Sequence, residues 1–196
     1  MGRYFGTDGF RGEANVTLTA DHAYQVGRFL GWYCGETKRR AGDERPVRVV
    51  IGKDTRRSSY MFEYALASGL VASGADAYLL HVTTTPSVSY VARTEGFDCG
   101  IMISASHNPF YDNGIKLMDR SGEKMDEDTI ALIEDYLDGR LELFGRPCLW
   151  RSGSTSAARW TMWRAATVTW VTSSPWGCFP SRAERWGWIA PTAARG

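Results

Sequence analysis

The stretch "GIMISASHNPFYDNGIK", Gly100 to Lys116, changes character abruptly. Its first four residues are apolar and read as part of a short buried strand. It then breaks into a polar loop holding Ser104, Ser106 and His107, with Asn108 and Pro109 setting a turn. "DNG" at 112–114 predicts a second tight turn that returns Lys116 to the same edge. An apolar strand that ends in such a loop is typical of the carboxyl edge of an α/β sheet, where ligands bind.

The flanking sequence agrees. "TLTADHAYQVGRFLGWYCGETKRR" reads as a helix with Thr19 as N-cap and Lys38, Arg39 and Arg40 at its negative end. "PVRVVIGKD" predicts a strand, and "SSYMFEYALASGLVASG" a helix capped at Ser58 or Ser59 and closed by Gly74. "ADAYLLHV" is a second strand and "PSVSYVARTEG" a short helix with Pro86 at its start. "CGIMIS" and "GIKLM" are the third and fourth strands, and "DEDTIALIEDYLDG" a last helix. Strands alternating with helices imply an α/β fold with a largely parallel sheet.

Composition divides the 196 residues into two parts. Residues 1–146 hold 17 Lys+Arg and 21 Asp+Glu, a net charge of −4. Residues 147–196 hold six Arg, no Lys and one acid, Glu184, a net charge of +5, with seven of the eight tryptophans. No apolar period persists there beyond a brief β-like "ATVTWVT". Tryptophan interleaved with arginine is one way to build a nucleic-acid surface. The composition fits better codons read out of frame in GC-rich DNA, and the expectation is an irregular, disordered, non-native tail.

"MGRYFGTDGF" has no apolar signal core, no run approaches the roughly 20 apolar residues of a membrane span, and Gly6 stands where myristoylation needs Ser or Thr. Cys34, Cys99, Cys148 and Cys178 show neither metal-site nor disulfide spacing. The expected protein is cytoplasmic, with reduced thiols and neither a membrane nor a nucleic acid as partner.

A serine at a strand end, an adjacent histidine and a returning lysine suit phosphoryl transfer, where catalysis is mostly positioning and charge stabilisation. Taken alone, the Ser-His-Asn-Pro turn is equally readable as a turn and nothing more. "YFGTDGFRG", Tyr4 to Gly12, adds glycines that let backbone approach an anion and Arg11, which can grip phosphate bidentately. Its plainer reading is a mobile Gly-rich arm. "VVIGKDT" is not a Walker A loop, and no GxSxG elbow is present.

These stretches, with "GKDTRRSS" and "TTTPSVSYV", resemble the α-D-phosphohexomutases over residues 1–146, and "FGTDGFRG" with "SASHNPFYDNGIK" favours the glucosamine branch. The resemblance implies a three-layer α/β/α first domain with a mixed, mainly parallel four-stranded sheet. It implies Ser106 as the phosphorylated serine, with Ser104 shaping the turn, Arg11 and Lys116 on phosphate charge, and His107 as a proton-transfer or positioning group. Thr7, Gly9 and Asn108 would contact the phosphosugar. The implied reaction interconverts glucosamine 6-phosphate and glucosamine 1-phosphate, a precursor for cell-wall amino sugars, through a bisphosphorylated intermediate. Mg²⁺ would bind through the phosphate on Ser106, and a sugar 1,6-bisphosphate would activate. Dimerisation of full-length relatives stays open.

The resemblance also implies what should follow residue 146. Relatives are more than twice as long, with four domains. Their Asp-rich metal loop, sugar loop and C-terminal phosphate loop find no match here; "MDEDT" at 125–129 and "RSGST" at 151–155 imitate two of them at the wrong spacing or place. The expectation is a truncated or frameshifted product, inactive alone. The alternatives are a phosphomannomutase/phosphoglucomutase fragment and a non-catalytic phosphosugar-binding or dimerisation module.

Overall fold

A computed structural model of the chain describes residues 2–140 and the backbone of 159–161; the rest of the Trp/Arg-rich stretch lies outside the described residues. Seven strands form one sheet: β1 (Phe5–Gly6), β2 (Gly9–Glu13), β3 (Arg48–Lys53), β4 (Asp76–Val82), β5 (Cys99–Ile103), β6 (Asp112–Met118) and β7 (Arg159–Thr161), in the order β1-β2-β6-β5-β3-β4-β7. Among the described residues four helices accompany it: α1 (Ala20–Arg40), α2 (Ser59–Ala72), α3 (Thr85–Thr94) and α4 (Glu127–Leu137).

The helices form where the sequence places them. Thr19 caps α1 by accepting from the His22 amide, and His22 Nδ1 accepts from the Thr19 amide, which closes a capping box. Asp126 caps α4 through the Thr129 amide at 2.8 Å. Two residues past the ends of α2, α3 and α4, Gly74, Gly96 and Gly139 take φ of +90°, +67° and +69°, the left-handed turn that stops a helix.

Three layers follow from strand alternation. Val49, Ile51, Leu79, Ile101, Ile103, Ile115 and Leu117 face α1, α2 and α4 in the larger core. Val50, Tyr78, Leu80, Met102 and Met118 face α3 in a smaller one built with Val88, Val91 and Phe97. The expected α/β/α sandwich is therefore present.

The sheet itself departs from expectation in two ways. It is not four-stranded, because "FGTDGFRGE" forms a hairpin, β1–β2, that pairs antiparallel with β6. Nor is it mainly parallel: β3 pairs parallel with β4 and β5, and β4 with β7, but β1–β2, β2–β6 and β5–β6 are antiparallel. Glycines and three charged residues (Asp8, Arg11 and Glu13) in the hairpin hide its strand character, since strand propensity reports packing more than backbone preference. Within the stretch expected to be irregular, β7 pairs with the open edge of β4, whose unpaired backbone groups are a template for such addition.

The candidate active-site loop

β5 carries the chain to Ile103, the middle strands being the most deeply buried. Ser104 and Ala105 remain buried, and Ser106 and His107 emerge exposed on a turn. Ser106 has φ of +57°, in the left-handed region that a non-glycine residue occupies only when its surroundings hold it there. Ser104 Oγ accepts the Ser106 amide at 3.0 Å, and the Asn108 amide donates to the Ala105 carbonyl at 3.1 Å. Ser104 thus shapes the turn from below, and its side chain is buried while that of Ser106 is not. Two loop amides are consumed internally, which leaves fewer backbone donors for an anion at Ser106.

Arg11 reaches the same turn through Asn108. It sits on β2 opposite Gly114, where a side chain on Gly114 would come within 2.8 Å of the Ser104 carbonyl oxygen. Its Nη1 donates to Asn108 Oδ1 at 3.1 Å and its Nη2 to Asp8 Oδ2 at 3.0 Å, while Nε is buried with no partner. An orphaned donor on a charged group is costly unless something else takes it up. Asn108 is held in turn by donating from Nδ2 to Asp112 Oδ2 at 2.9 Å.

Lys116, Thr7 and Gly9 lie elsewhere on the surface. They line a cleft of about 1070 Å³ between the β1–β2 hairpin, β6, the start of α3 and α4. Ser106, His107 and Asn108 do not line it. The two groups meet at Asp8, which lines the cleft and accepts from Arg11. Strand pairing sets Arg11 opposite Gly114 and Lys116 opposite Met102, so both cations rise from the α3 face of the sheet. "DNG" is not the tight turn expected: Asp112–Gly114 opens β6 and pairs with β2, and the reversal lies at Pro109–Asp112.

Sequence reasoning missed the residues that hold the loop. Arg56, in "GKDTRRSS", donates to the carbonyls of Ser106, Asn108, Pro109 and Asp112. Asn113, fully buried, donates to Ser58 Oγ at 2.9 Å and Ser59 Oγ at 3.0 Å, tying β6 to the start of α2. The only signal was an Asp two residues before an Arg, a local pattern that says nothing about a partner 50 residues away.

The hairpin is anchored by Glu134 of α4, which accepts from the amides of Arg3 at 3.0 Å and of Tyr4 and Phe5 at 2.8 Å. Burial opposes its charge, but those three amides and the Arg3 guanidinium outweigh burial and lower its pKa. Gly9, at φ +96°, packs so close to β6 that a Cβ there would be 2.4 Å from the Ile115 carbonyl oxygen.

Metal binding is a poorer fit. Among the described residues no group of three or more His, Cys, Asp and Glu is arranged to hold an ion, so Ser106 could contribute one phosphate ligand and no cage. No described helix is long and apolar enough to cross a membrane.

Residues 2–142 match the family described as phosphoglucomutase/phosphomannomutase, alpha/beta/alpha domain I. The chain is 76% identical over 141 residues to a phosphoglucosamine mutase of Lachnospira eligens, covering 72% of this chain and 30% of that protein. It is 68% identical over 141 residues to one of Lachnoclostridium phytofermentans, with the same coverage. Against one of Streptococcus agalactiae it is 48% identical over 147 residues, 75% of this chain and 32% of the relative. A phosphoglucomutase/phosphomannomutase family protein from Burkholderia thailandensis superposes with a TM-score of 0.64 at 26% identity, over 84% of this chain and 34% of that one. The chain thus spans about 30% of the length of the curated relatives it matches.

Proposed function

Because this chain belongs to the phosphoglucomutase/phosphomannomutase family, we propose that it is the phosphoserine-bearing first domain of a phosphoglucosamine mutase. The observation that carries this is Ser106: an exposed hydroxyl on a left-handed turn, two residues before an Asn held by an arginine with an unused buried donor.

In the forward half-reaction a hydroxyl oxygen of glucosamine 6-phosphate attacks the phosphorus carried by Ser106. The Oγ–P bond breaks as the sugar O–P bond forms, and the hydroxyl proton passes to a neighbouring base, for which His107 stands on the same turn. Arg11 balances charge on the transferring group, and positioning plus charge stabilisation is what such transfer requires. The cleft with Thr7, Gly9 and Lys116 would take the rest of the phosphosugar. The metal that the family suggests, proposed as Mg²⁺, would use the phosphate on Ser106; its other ligands are not among the described residues, and no step here is derived through it. The chain is placed in the cytoplasm with a phosphosugar as partner, and neither nucleic acid nor membrane. The chain spans about 30% of the length of the relatives it matches, so phosphate exchange at Ser106, rather than sugar isomerisation, is the reaction to test.

Intact mass after incubation with glucose 1,6-bisphosphate tests the reading. One added phosphate on the wild type, and none on Ser106→Ala, is expected. Equal phosphate on both would place the chemistry on another residue.

A further inference from the structure

Arg56 follows β3 on the turn before α2, and the backbone of the serine loop converges on it. Its Nε donates to Asp54 Oδ2 at 3.0 Å. Nη1 donates to the Pro109 carbonyl and, at 3.0 Å, to that of Asp112. Nη2 donates to the carbonyls of Ser106 at 3.1 Å and Asn108 at 2.8 Å. A guanidinium has five N–H donors in a rigid fork, and all five are committed. Its side chain is 12% exposed. Arg11, by contrast, commits one bond from each terminal nitrogen and leaves Nε unpartnered.

We infer that Arg56 is the positioning residue of the serine loop: it fixes Ser106 in its left-handed conformation by binding the carbonyls on either side of His107, and it keeps no donor for phosphate. The two arginines near the loop then divide the work, Arg56 holding backbone and Arg11 facing the anion. Asp54 completes the device. It orients the fork through Nε and the Arg56 amide, and it accepts from Ser59 Oγ at 2.8 Å, which fixes the carboxylate to α2. Lysine cannot replace this fork, because an ammonium has three donors at one point and cannot serve four carbonyls and a carboxylate. The inference rests on the reading of Ser106 given above.

The test uses the isotopically labelled full chain as wild type, Arg56→Ala and Arg56→Lys. Backbone chemical shifts report whether Ser106 keeps positive φ, and hydrogen exchange reports the Asn108 and Asp112 amides that close the turns onto Ala105 and Pro109. In Arg56→Ala, Ser106 should lose its left-handed signature and those two amides should exchange roughly tenfold faster or more, while core amides of β5 and α1 hold. Added guanidinium ion should restore the signature saturably, and methylammonium should not. Arg56→Lys should behave like Arg56→Ala.

Unchanged Ser106 shifts in Arg56→Ala, or a folded Arg56→Lys with native loop geometry, would overturn the inference. So would loss of the whole fold in both variants, which would make Arg56 a general structural residue. Phosphate uptake from glucose 1,6-bisphosphate is read separately. A wild type that takes none on Ser106, beside an Arg56→Ala loop that still collapses, would sink the mutase reading and leave the positioning role standing.

Discussion

Replacing Glu134 with Gln should release the N-terminal hairpin from α4, and the size of the effect follows from the hydrogen bonds. Oε1 accepts from the Tyr4 and Phe5 amides and Oε2 from the Arg3 amide. A glutamine keeps one oxygen, so an amide nitrogen must face at least one of the three donors. Bonds to a charged group contribute about 1.5–3 kcal/mol each against about 0.5–1.5 for neutral pairs, so one lost and two weakened should cost about 2–4 kcal/mol. For a domain of this size that lowers Tm by roughly 6–12 °C. The pH dependence has a definite sign. The Glu134 pKa is lower folded than its ordinary value of 4.5, so the unfolded chain takes up a proton first as pH falls. Its stabilisation is complete above that ordinary value and is lost as pH falls through the lower folded one. Thermal melts from pH 3 to 7 should show the wild type losing stability in that window and Glu134→Gln losing less. A variant within about 0.5 kcal/mol of wild type, with the same acid limb, would refute the anchoring argument.

Gly9→Ala places a Cβ 2.4 Å from the Ile115 carbonyl oxygen at a φ of +96°. The left-handed backbone alone should cost about 1–2 kcal/mol in urea denaturation, with faster amide exchange across Phe5–Phe10, and a neutral result would mean that the hairpin is not seated on β6. Burial pushes the Cys34 thiol up to about 12, and Cys99 well above its ordinary value. Iodoacetamide at pH 8 should therefore leave the fully buried Cys99 unmodified in the folded chain and label it in urea, as peptide mapping by mass spectrometry would read; native labelling of Cys99 would contradict its burial.

The sequence made the layered core legible because that core rests on local signals. Thr19, Pro86, Asp126 and the glycines at 74, 96 and 139 mark helix ends by chemistry that acts within a few residues. The β1–β2 hairpin was not legible. Its glycines were read as anion-binding backbone, and their structural role, close approach to β6, depends on a strand about 100 residues away. "DNG" misled for the same reason: the buried Asn113 spends its side chain on Ser58, Ser59 and the Gly114 amide, so tertiary bonds override a turn preference. At the site, the family resemblance supplied Ser106, Arg11 and Asn108 as candidates but not the hydrogen bond that joins Arg11 to Asn108, and Arg56 acts on carbonyls, which every residue possesses, so side-chain identities along the loop could not reveal it.

That mode of support decides how self-sufficient the serine is. A non-glycine residue in the left-handed region costs about 1–3 kcal/mol. Against this stand the Ser104 hydroxyl on the Ser106 amide and a charged donor on the Ser106 carbonyl, the latter alone contributing about 1.5–3 kcal/mol. The bonds of Arg56 to Asn108, Pro109 and Asp112 add to the balance, and they are made within residues 54–112. The strain at Ser106 is therefore offset by groups on this chain and needs no contact from beyond it. What the loop lacks is compensation for a phosphate dianion: its own amides at 106 and 108 are used, and Arg56 is saturated. If Arg11 meets that charge as proposed, Arg11→Lys should weaken phosphate retention at Ser106, where Arg56 variants would instead disturb its shape.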